Sequence, residues 1–468
     1  MTSDPRDQAV GGVRWAAVGG AGTALLQALQ VIVLARFLSP LEFGLFATVG
    51  VVAGFATFLA EAGLGPAVIR RGGDEAKVQA TAHVLSLALS WASALVVFAL
   101  AHPLAALYDA PQLVSLVQAA SLIFVIQPVG LTYAYLLQRD LRFRALTIID
   151  LSTGVLATAA AIVAAATGWG AMSLVIGQVT GAIVRSLLLF GVGTSRYGLQ
   201  LAVERNELKY FIRFGSFQIG DNLVNYLNSQ IDILLLGKLA GPEALGVYFA
   251  AKQLAYKPLQ LINPVVTKVA LPVFARLQGD PARLRSGYLA VVGSLALVQV
   301  PVYGLLAGLS GLVAALVLGP QWGAAAPVLA LLSLYMLLRA TINPVGSLLL
   351  ASGQVERSLA WNLGVMLLIA PAIAIGAHWG ALGAALAHVI AMALLHIPAW
   401  WALVRPSCGA SAKEYFTPQL TRLAEGIVCF APMLAVPDGA PRIAAAVLGL
   451  AVYAGLNRTR GMQLLRRA

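Results

Sequence analysis

The chain has 468 residues, of which 59% are hydrophobic and only 11% are charged, and its mean hydropathy is +0.84. Soluble globular proteins are about 45–50% apolar and about 25% charged, so this composition excludes a single large soluble domain. The formal net charge of +12 would suit a nucleic-acid-binding protein, but the basic residues lie in short gaps between apolar stretches, where they set topology and meet anionic lipid, so we expect no nucleic-acid partner.

Fourteen apolar stretches follow one another along the chain, and each is close to the roughly 20 residues that an α-helix needs to cross a bilayer. They predict an all-α integral membrane protein with about 14 transmembrane helices. The predicted spans are 13–36, 43–67, 79–101, 113–137, 146–166, 171–193, 215–239, 244–271, 287–310, 324–350, 358–377, 380–403, 419–436 and 441–456. The first is too long for a cleavable signal peptide, and the two cysteines, Cys408 and Cys429, do not indicate a disulfide framework.

The Lys and Arg residues lie almost entirely in the N-terminal segment, in every second gap between spans and in the C-terminal tail. Only Arg36, Lys238 and Arg442 fall on the opposite side. Loops rich in Lys and Arg stay in the cytoplasm, so this asymmetry predicts that both termini are cytoplasmic and that the number of spans is even.

The first twelve spans divide into two sets of six that share turn residues. The matching segments are 36–44 and 238–246, 110–112 and 319–321, and 169–171 and 379–381, at offsets of 202, 209 and 210 residues. An even number of spans in each set predicts two parallel lobes around a central cavity. We therefore predict lobes at 1–202 and 203–404, followed by two extra transmembrane helices and a basic cytoplasmic tail at 405–468. Segment 203–210, between the sets, is predicted to form an amphipathic interfacial helix.

Five segments carry a resemblance to polysaccharide-type flippases, closest to the exporters of the colanic-acid and succinoglycan type. The segments are LARFLSPLEFG at 34–44, EAGLGPAVIR at 61–70, RDLRF at 139–143, GPEALGVY at 241–248 and LGPQW at 318–322. The resemblance covers about residues 10–400, and that family belongs to a superfamily shared with multidrug/toxin extruders and the lipid II flippase.

The resemblance implies two six-helix lobes facing a central cavity, plus two C-terminal helices, in the bacterial inner membrane. It also implies that the protein moves undecaprenyl-pyrophosphate-linked oligosaccharide from the cytoplasmic to the periplasmic leaflet, for exopolysaccharide or lipopolysaccharide biosynthesis. The expected partners are this lipid-linked oligosaccharide, the membrane lipids and a polysaccharide polymerase or export machinery.

Span 7 carries polar residues at helical spacing. The residues are Asp221, Asn225, Asn228 and Asp232. Spacings of four, three and four place them on one face, which cannot face lipid. One interpretation is a polar seam that bonds to a neighbouring helix. The favoured one is a cavity-lining face that hydrogen-bonds sugar.

Span 8 carries Gln253, Lys257 and Gln260 on one face with Lys252 beside it, and span 10 carries Arg339 near its middle. Cations at bilayer depth usually face a cavity or a partner. Lys252, Lys257 and Arg339 are therefore candidate ligands of a pyrophosphate, and Gln253 and Gln260 of sugar. Internal pairing with Asp221, Asp232 or Glu61 is an equally weighted alternative, and these three carboxylates are also candidates for coupling to a proton or sodium gradient.

Other intramembrane polar residues are given structural interpretations. Arg185 is interpreted as an anchor near the cytoplasmic end of span 6, Asp150 as a carboxylate opening span 5, and His388 and His396 as packing residues rather than proton relays. The sequence contains no phosphate-binding Gly-Lys-Ser/Thr loop, no Cys/His metal spacing and no nucleophile–base pair. We therefore expect no enzyme, no catalytic residue, no metal and no cofactor.

The preferred interpretation is a flippase that works by alternating access. Three alternatives remain: a lipid II flippase for peptidoglycan, a drug/cation antiporter, and a membrane polymerase or ligase. The antiporter predicts acidic rather than basic residues deep in the cavity, and the polymerase or ligase predicts a sizeable periplasmic loop, which the sequence lacks.

Overall fold

The computed structural model describes residues 5–71 and 75–458, with the side chains of 5–10, 13, 214–224, 264–269, 355 and 359 outside that description. Every regular element in this part of the chain is a helix, which confirms the predicted all-α class. The helices are α1 (Pro5–Phe37), α2 (Pro40–Glu61), α3 (Leu64–Arg70), α4 (Glu75–Tyr108), α5 (Leu113–Ile126), α6 (Pro128–Arg139), α7 (Phe143–Ala166), α8 (Met172–Tyr197), α9 (Arg205–Arg276), α10 (Pro281–Gly308), α11 (Ser310–Val313), α12 (Ala325–Ile342), α13 (Pro344–Ala351), α14 (Val355–Ala377), α15 (Gly380–Ala399), α16 (Arg405–Cys408), α17 (Ala412–Phe430) and α18 (Ala440–Leu456).

Among the described residues, ten helical stretches are long and apolar enough to cross a bilayer, and the bent pair α5–α6 makes up to eleven. One of the ten, Asn225–Asn263 within α9, covers parts of two predicted spans. The two C-terminal helices fall outside this set, because α17 carries four charged residues, Lys413, Glu414, Arg422 and Glu425, and α18 has only 17 residues. The multi-pass membrane class is confirmed, and the count of fourteen stays a prediction.

The segment Arg205–Arg276, labelled α9, consists of two helices joined at a kink, where the backbone of Gly241 is non-helical (φ 84°, ψ 169°). This positive φ is accessible to glycine at little cost, and the Pro242 that follows cannot donate a backbone hydrogen bond. Predicted spans 7 and 8 therefore lie on either side of Gly241. The predicted interfacial segment 203–210 includes the first turn of the same helix.

Two further spans are interrupted immediately before a proline. The fourth predicted span is divided between α5 and α6, which meet at 51° on either side of Gln127. The tenth is divided between α12 and α13 at Asn343, with Pro344 at the first position of α13. Proline is favoured at the first position of a helix and ends the one before it, so the sequence itself sets both breaks.

The chain separates into two compact units, Met1–Lys238 and Leu239–Ala468. In the first unit α1 packs on α7, α7 on α8, and α4 on both α2 and α5. Small and branched residues such as Ala56, Val97 and Val117 fill the contact between α2, α4 and α5. The predicted lobe limits at 202 and 404 stay a prediction.

In the second unit α14 packs on α15, α12 on α15 and α10, and α17 on both α10 and α18. Aromatic residues fill one end of this unit, where the buried rings of Tyr288 and Tyr415 stack at 6.4 Å and Phe274 lies 6.0 Å from Tyr288. Trp322, in the signature segment LGPQW, is completely buried. The turn between α11 and α12 is therefore packed into the unit.

Two of the three cations that break the topology rule are paired with a nearby carboxylate. The Nζ atom of Lys238 lies 3.1 Å from Asp109 Oδ2, and Arg442 pairs with Asp438. Arg422, which the sequence analysis assigned to a cytoplasmic gap, is instead buried in α17 and bonded to Glu425 and Asn457. Its burial explains why it does not act as an exposed topology charge.

Replacing Gly193 by alanine should destabilise the first unit. A Cβ atom at Gly193 would clash with the ring of Tyr133, which is fully buried, and overpacking of this kind costs about 1–3 kcal/mol. Gly191, on the same helix α8, has open space at the equivalent position, so Gly191→Ala is the matched control. We expect the unfolding free energy in detergent micelles to fall for Gly193→Ala alone; equal stability of the two variants would contradict the packing.

Candidate substrate-binding residues

Arg339 lies in the last turn of α12, just before the break at Asn343. Its Nη1 atom donates to the hydroxyl of Tyr335 at 3.2 Å, and its guanidinium lies 5.9 Å from the centre of the Tyr256 ring. Tyr256 belongs to the second half of α9, so α9 and α12 meet at this arginine. Two aromatic side chains therefore hold this guanidinium in place, through one hydrogen bond and one cation–π contact.

The α9 residues predicted to bind substrate lie on either side of Tyr256. Lys252, Gln253 and Lys257 are partly buried, and Gln260 is exposed. Gln253, Lys257 and Gln260 follow the helical spacing of Tyr256 and share its side of α9. The structure therefore brings Tyr256, a further member of this polar face, directly to Arg339.

His388 of α15 is buried beside Tyr335, the residue whose hydroxyl accepts a hydrogen bond from Arg339. Its ring lies 4.4 Å from that of Tyr335, and its Nδ1 atom is hydrogen-bonded to the buried Tyr248 hydroxyl at 2.9 Å. His396 is similarly held by the Met392 carbonyl and the Thr341 hydroxyl. These contacts agree with the interpretation of both histidines as packing residues.

The polar stripe of the first half of α9 has unequal exposure. Asn225 is exposed, Asn228 is partly buried, and Asp232 is buried with its Oδ1 atom accepting the Ile233 N–H at 2.9 Å. The side chain of Asp221 lies outside the described residues. Among the described members of the stripe, Asn225 and Asn228 are therefore the ones with side chains that are at least partly exposed.

Tyr226, which the sequence analysis did not single out, attaches this part of α9 to α2. Its hydroxyl donates to the Val51 carbonyl at 2.6 Å, and its ring lies 5.0 Å from that of Phe58. Gly54 makes room for the hydroxyl, because any Cβ atom there would collide with it. Tyr226 therefore joins α9 to α2 beside the asparagines of the stripe.

Four polar residues from four helices of the first unit form a second cluster. Glu61 ends α2 and interacts electrostatically with Tyr135 of α6 and Arg185 of α8, and Arg185 Nε lies 3.0 Å from Asp150 Oδ1 of α7. Arg185 is in the middle of α8, and Asp150 lies two turns inside α7. The interpretations of Arg185 as an end anchor and of Asp150 as a helix-opening carboxylate are therefore wrong, because both helices extend further than predicted.

The sequence contains a signal for this pair. Helices α7 and α8 form an antiparallel hairpin, and Asp150 and Arg185 lie at almost equal distances from the turn at Gly168. Opposite charges at equal depth in consecutive spans are expected to meet, because neither can face lipid.

Both the sequence and the fold of the chain match known proteins. A family model described as "Polysaccharide biosynthesis protein" matches residues 33–327. The chain is 30% identical over 412 residues to the lipopolysaccharide biosynthesis protein WzxC of Escherichia coli, covering 88% of this chain and 84% of WzxC. The chain belongs to the polysaccharide biosynthesis protein family.

Another relative in this family is the teichuronic acid biosynthesis protein TuaB of Bacillus subtilis, 29% identical over 427 residues, with 90% of this chain and 88% of TuaB covered. The fold matches that of a structure of the lipid II flippase MurJ with a TM-score of 0.75 at 14% identity, covering 96% of this chain and 99% of MurJ. These matches confirm the predicted resemblance and the membrane fold of this family member.

Asp150 and Arg185 should be energetically coupled. Each single substitution, Asp150→Asn or Arg185→Gln, leaves one charge inside the membrane-spanning part without its partner, whereas the double variant removes both. Because both side chains are more than one-third exposed, we expect a coupling free energy of only about 0.5–1 kcal/mol in a double-mutant cycle of unfolding in micelles. Strictly additive effects would contradict the pairing.

Proposed function

We propose that the protein is a flippase of the bacterial inner membrane for undecaprenyl-pyrophosphate-linked oligosaccharide. It delivers the oligosaccharide to the periplasmic leaflet by alternating access, for exopolysaccharide or lipopolysaccharide biosynthesis. The proposal rests on one combination of matches. Two relatives are named for the biosynthesis of surface polysaccharides, and the fold of this chain matches that of a lipid II flippase. A membrane protein of this kind supports polymer synthesis by moving a lipid-linked unit.

The cations of the second unit suit the pyrophosphate. Arg339 offers a planar set of donors, held in place by Tyr335 and Tyr256, and Lys257 and Lys252 add point charges on the neighbouring helix α9. A basic site favours an anionic lipid headgroup over a cationic drug, which supports the flippase over drug/cation antiport.

The sugar has polar partners of a different type. The predicted sugar-binding residues Asn225, Asn228, Gln253 and Gln260 carry neutral amides that both donate to and accept from hydroxyl groups. Asp221 remains a candidate of the same stripe. Asp232 is buried, so we assign it to helix packing or ion coupling rather than to first contact with sugar.

Glu61 is our leading candidate for coupling to an ion gradient, ahead of Asp221 and Asp232. It lies beside the Arg185–Asp150 pair at the end of α2, where the backbone turns through the left-handed region at Ala62 and Gly63. A carboxylate close to an arginine and a tyrosine within the membrane can exchange a proton or bind a cation as its surroundings change.

The charge pattern leads us to place both termini in the cytoplasm. We also assign no enzymatic step to the chain, and we expect a polysaccharide polymerase to receive the delivered lipid. Cysteine labelling from each side of the membrane would test the topology, and labelling of either terminus from the periplasm would refute it.

Lipid analysis of a deletion strain tests the function. We expect loss of the polymer, with undecaprenyl-linked oligosaccharide accumulating in the cytoplasmic leaflet, and restoration by the full chain. Normal polymer export without the protein would end the proposal. Because the fold matches that of a lipid II flippase, lipid II is the second candidate substrate; it predicts instead that the deletion is lethal and that peptidoglycan precursors accumulate.

Arg339 should be required for export through its charge and its shape. We expect Arg339→Gln to lower polymer export about tenfold or more and Arg339→Lys to retain an intermediate level, because lysine keeps the charge but loses the bidentate geometry. Arg276→Gln, at the exposed end of α9, is the matched control. Protein abundance in the membrane must be equal in all strains, and unchanged export by Arg339→Gln would exclude the residue from the site.

Replacing Glu61 by glutamine should uncouple transport from the driving ion. In vesicles containing the purified protein and a fluorescent lipid-linked substrate, we expect wild-type flipping to respond to an imposed pH or sodium gradient and the Glu61→Gln variant not to respond. Glutamine is close to glutamate in size and stays polar but cannot ionise. Wild-type flipping that ignores both gradients would remove the coupling role.

A further inference from the structure

Two open grooves on the predicted cytoplasmic side combine arginines with tryptophan, one in each compact unit. The first groove is lined by Trp15, Asp140, Leu141, Arg142, Arg144 and Arg196, and has a volume of about 910 Å³. The second is lined by Arg357, Trp361, Trp401 and Arg405, and has a volume of about 650 Å³. Neither contains a residue proposed above to contact the transported substrate.

The grooves occupy corresponding places in the two units. The first lies where α7 begins and α8 ends, and the second where α14 begins and the segment continuing α15 ends. Helices α8 and α15 are the repeat-related helices that begin after the matching Trp-Gly-Ala segments at 169–171 and 379–381. Each groove therefore places arginine and tryptophan beside repeat-related helices, with Trp15 contributed by α1 and with Trp361 and Trp401 contributed by α14 and the segment after α15.

In the first groove, two arginines remain available for an anion. Asp140 is already bound by the Tyr197 hydroxyl at 2.7 Å and lies near Arg139 and Arg196. Arg144 lies 5.5 Å from the centre of the Trp15 ring, and Arg142 is exposed. Among the described residues, no carboxylate lies within ion-pair distance of Arg142 or Arg144, so their charges are not neutralised there.

The second groove repeats this arrangement. Arg357 donates to the side-chain oxygen of Gln354 at 2.7 Å, and this neutral partner does not cancel the charge of the arginine. The guanidinium of Arg405 lies 5.9 Å from the centre of the Trp400 ring. In the part of the chain that the structure describes, neither arginine forms an ion pair with a carboxylate. Trp401 is 63% exposed at the mouth of the groove.

The apolar rim identifies the type of ligand. Leu141 and Ile148, which both line the first groove, are 45% and 50% exposed. Tryptophan prefers the headgroup level of a bilayer, and arginines beside it bind phosphate. A site with basic, aromatic and apolar parts at this level suits an amphiphile rather than a soluble anion.

We propose that each groove binds the phosphate of an anionic glycerophospholipid from the cytoplasmic leaflet. The paired guanidinium groups bind the phosphate oxygens, the tryptophans flank the headgroup, and the acyl chains follow the apolar rim. The occurrence of one site per unit fits a resident lipid better than a transported substrate, of which one copy is carried at a time.

Native mass spectrometry of the full chain in detergent tests this proposal. With phosphatidylglycerol we expect up to two bound lipids, and with phosphatidylethanolamine or soluble glycerol phosphate almost none. The variants Arg142→Gln/Arg144→Gln and Arg357→Gln/Arg405→Gln should each lose one lipid, with the apparent dissociation constant rising about tenfold at the altered groove. Arg205→Gln/Arg276→Gln removes the same charge at exposed positions outside both grooves and should change nothing.

Three results would overturn the proposal. Equal losses in the control variant would show a general surface-charge effect, and binding of glycerol phosphate as tight as that of the lipid would show a simple anion site. Displacement of phosphatidylglycerol by undecaprenyl pyrophosphate at matched concentration would make the grooves part of the substrate path. Arg142→Lys/Arg144→Lys keeps the charge and should retain most of the binding, which separates loss of the site from loss of the fold.

Discussion

The absence of water inside the hydrocarbon layer is the constraint on which this structure depends. Each polar group there must find a partner within the protein, because an unsatisfied one costs several kcal/mol. Helices satisfy the backbone, and side-chain contacts such as Tyr226 with Val51 and Arg185 with Asp150 satisfy the rest. The polar residues that stay exposed at membrane depth therefore mark surfaces that meet water or substrate, and most of the functional assignments above follow from this rule.

Much of the architecture could be predicted from the sequence, because span length and charge distribution are local properties. The apolar stretches, the alternating basic gaps and the signature at 34–44 were sufficient to predict an all-α membrane protein of a polysaccharide-biosynthesis family, which the fold and the family match confirm. The helix limits were less accurate. Prolines at 128 and 344 divide two spans, and the separation between spans 7 and 8 is confined to a kink at Gly241.

The candidate site could be predicted only in part, because sequence spacing gives the face of a helix and not what that face meets. Arg339 was identified from its depth alone. Its contact with Tyr335 lies within α12, but its contact with Tyr256 comes from α9, far away in the chain. Asp232 shares a helical face with Asn225 and is nevertheless buried. The pairing of Asp150 with Arg185 was accessible from the sequence and was missed, since each residue was considered without its neighbour across the hairpin.

The kink at Gly241 has a consequence for which residue can stand there. The division between the compact units falls after Lys238, within one helical turn of Gly241. The chain therefore enters the second unit through a backbone conformation that glycine adopts at little cost and that other residues rarely adopt. Open space surrounds the position at which a Cβ atom would lie, so glycine is required here by its backbone torsions and not by packing.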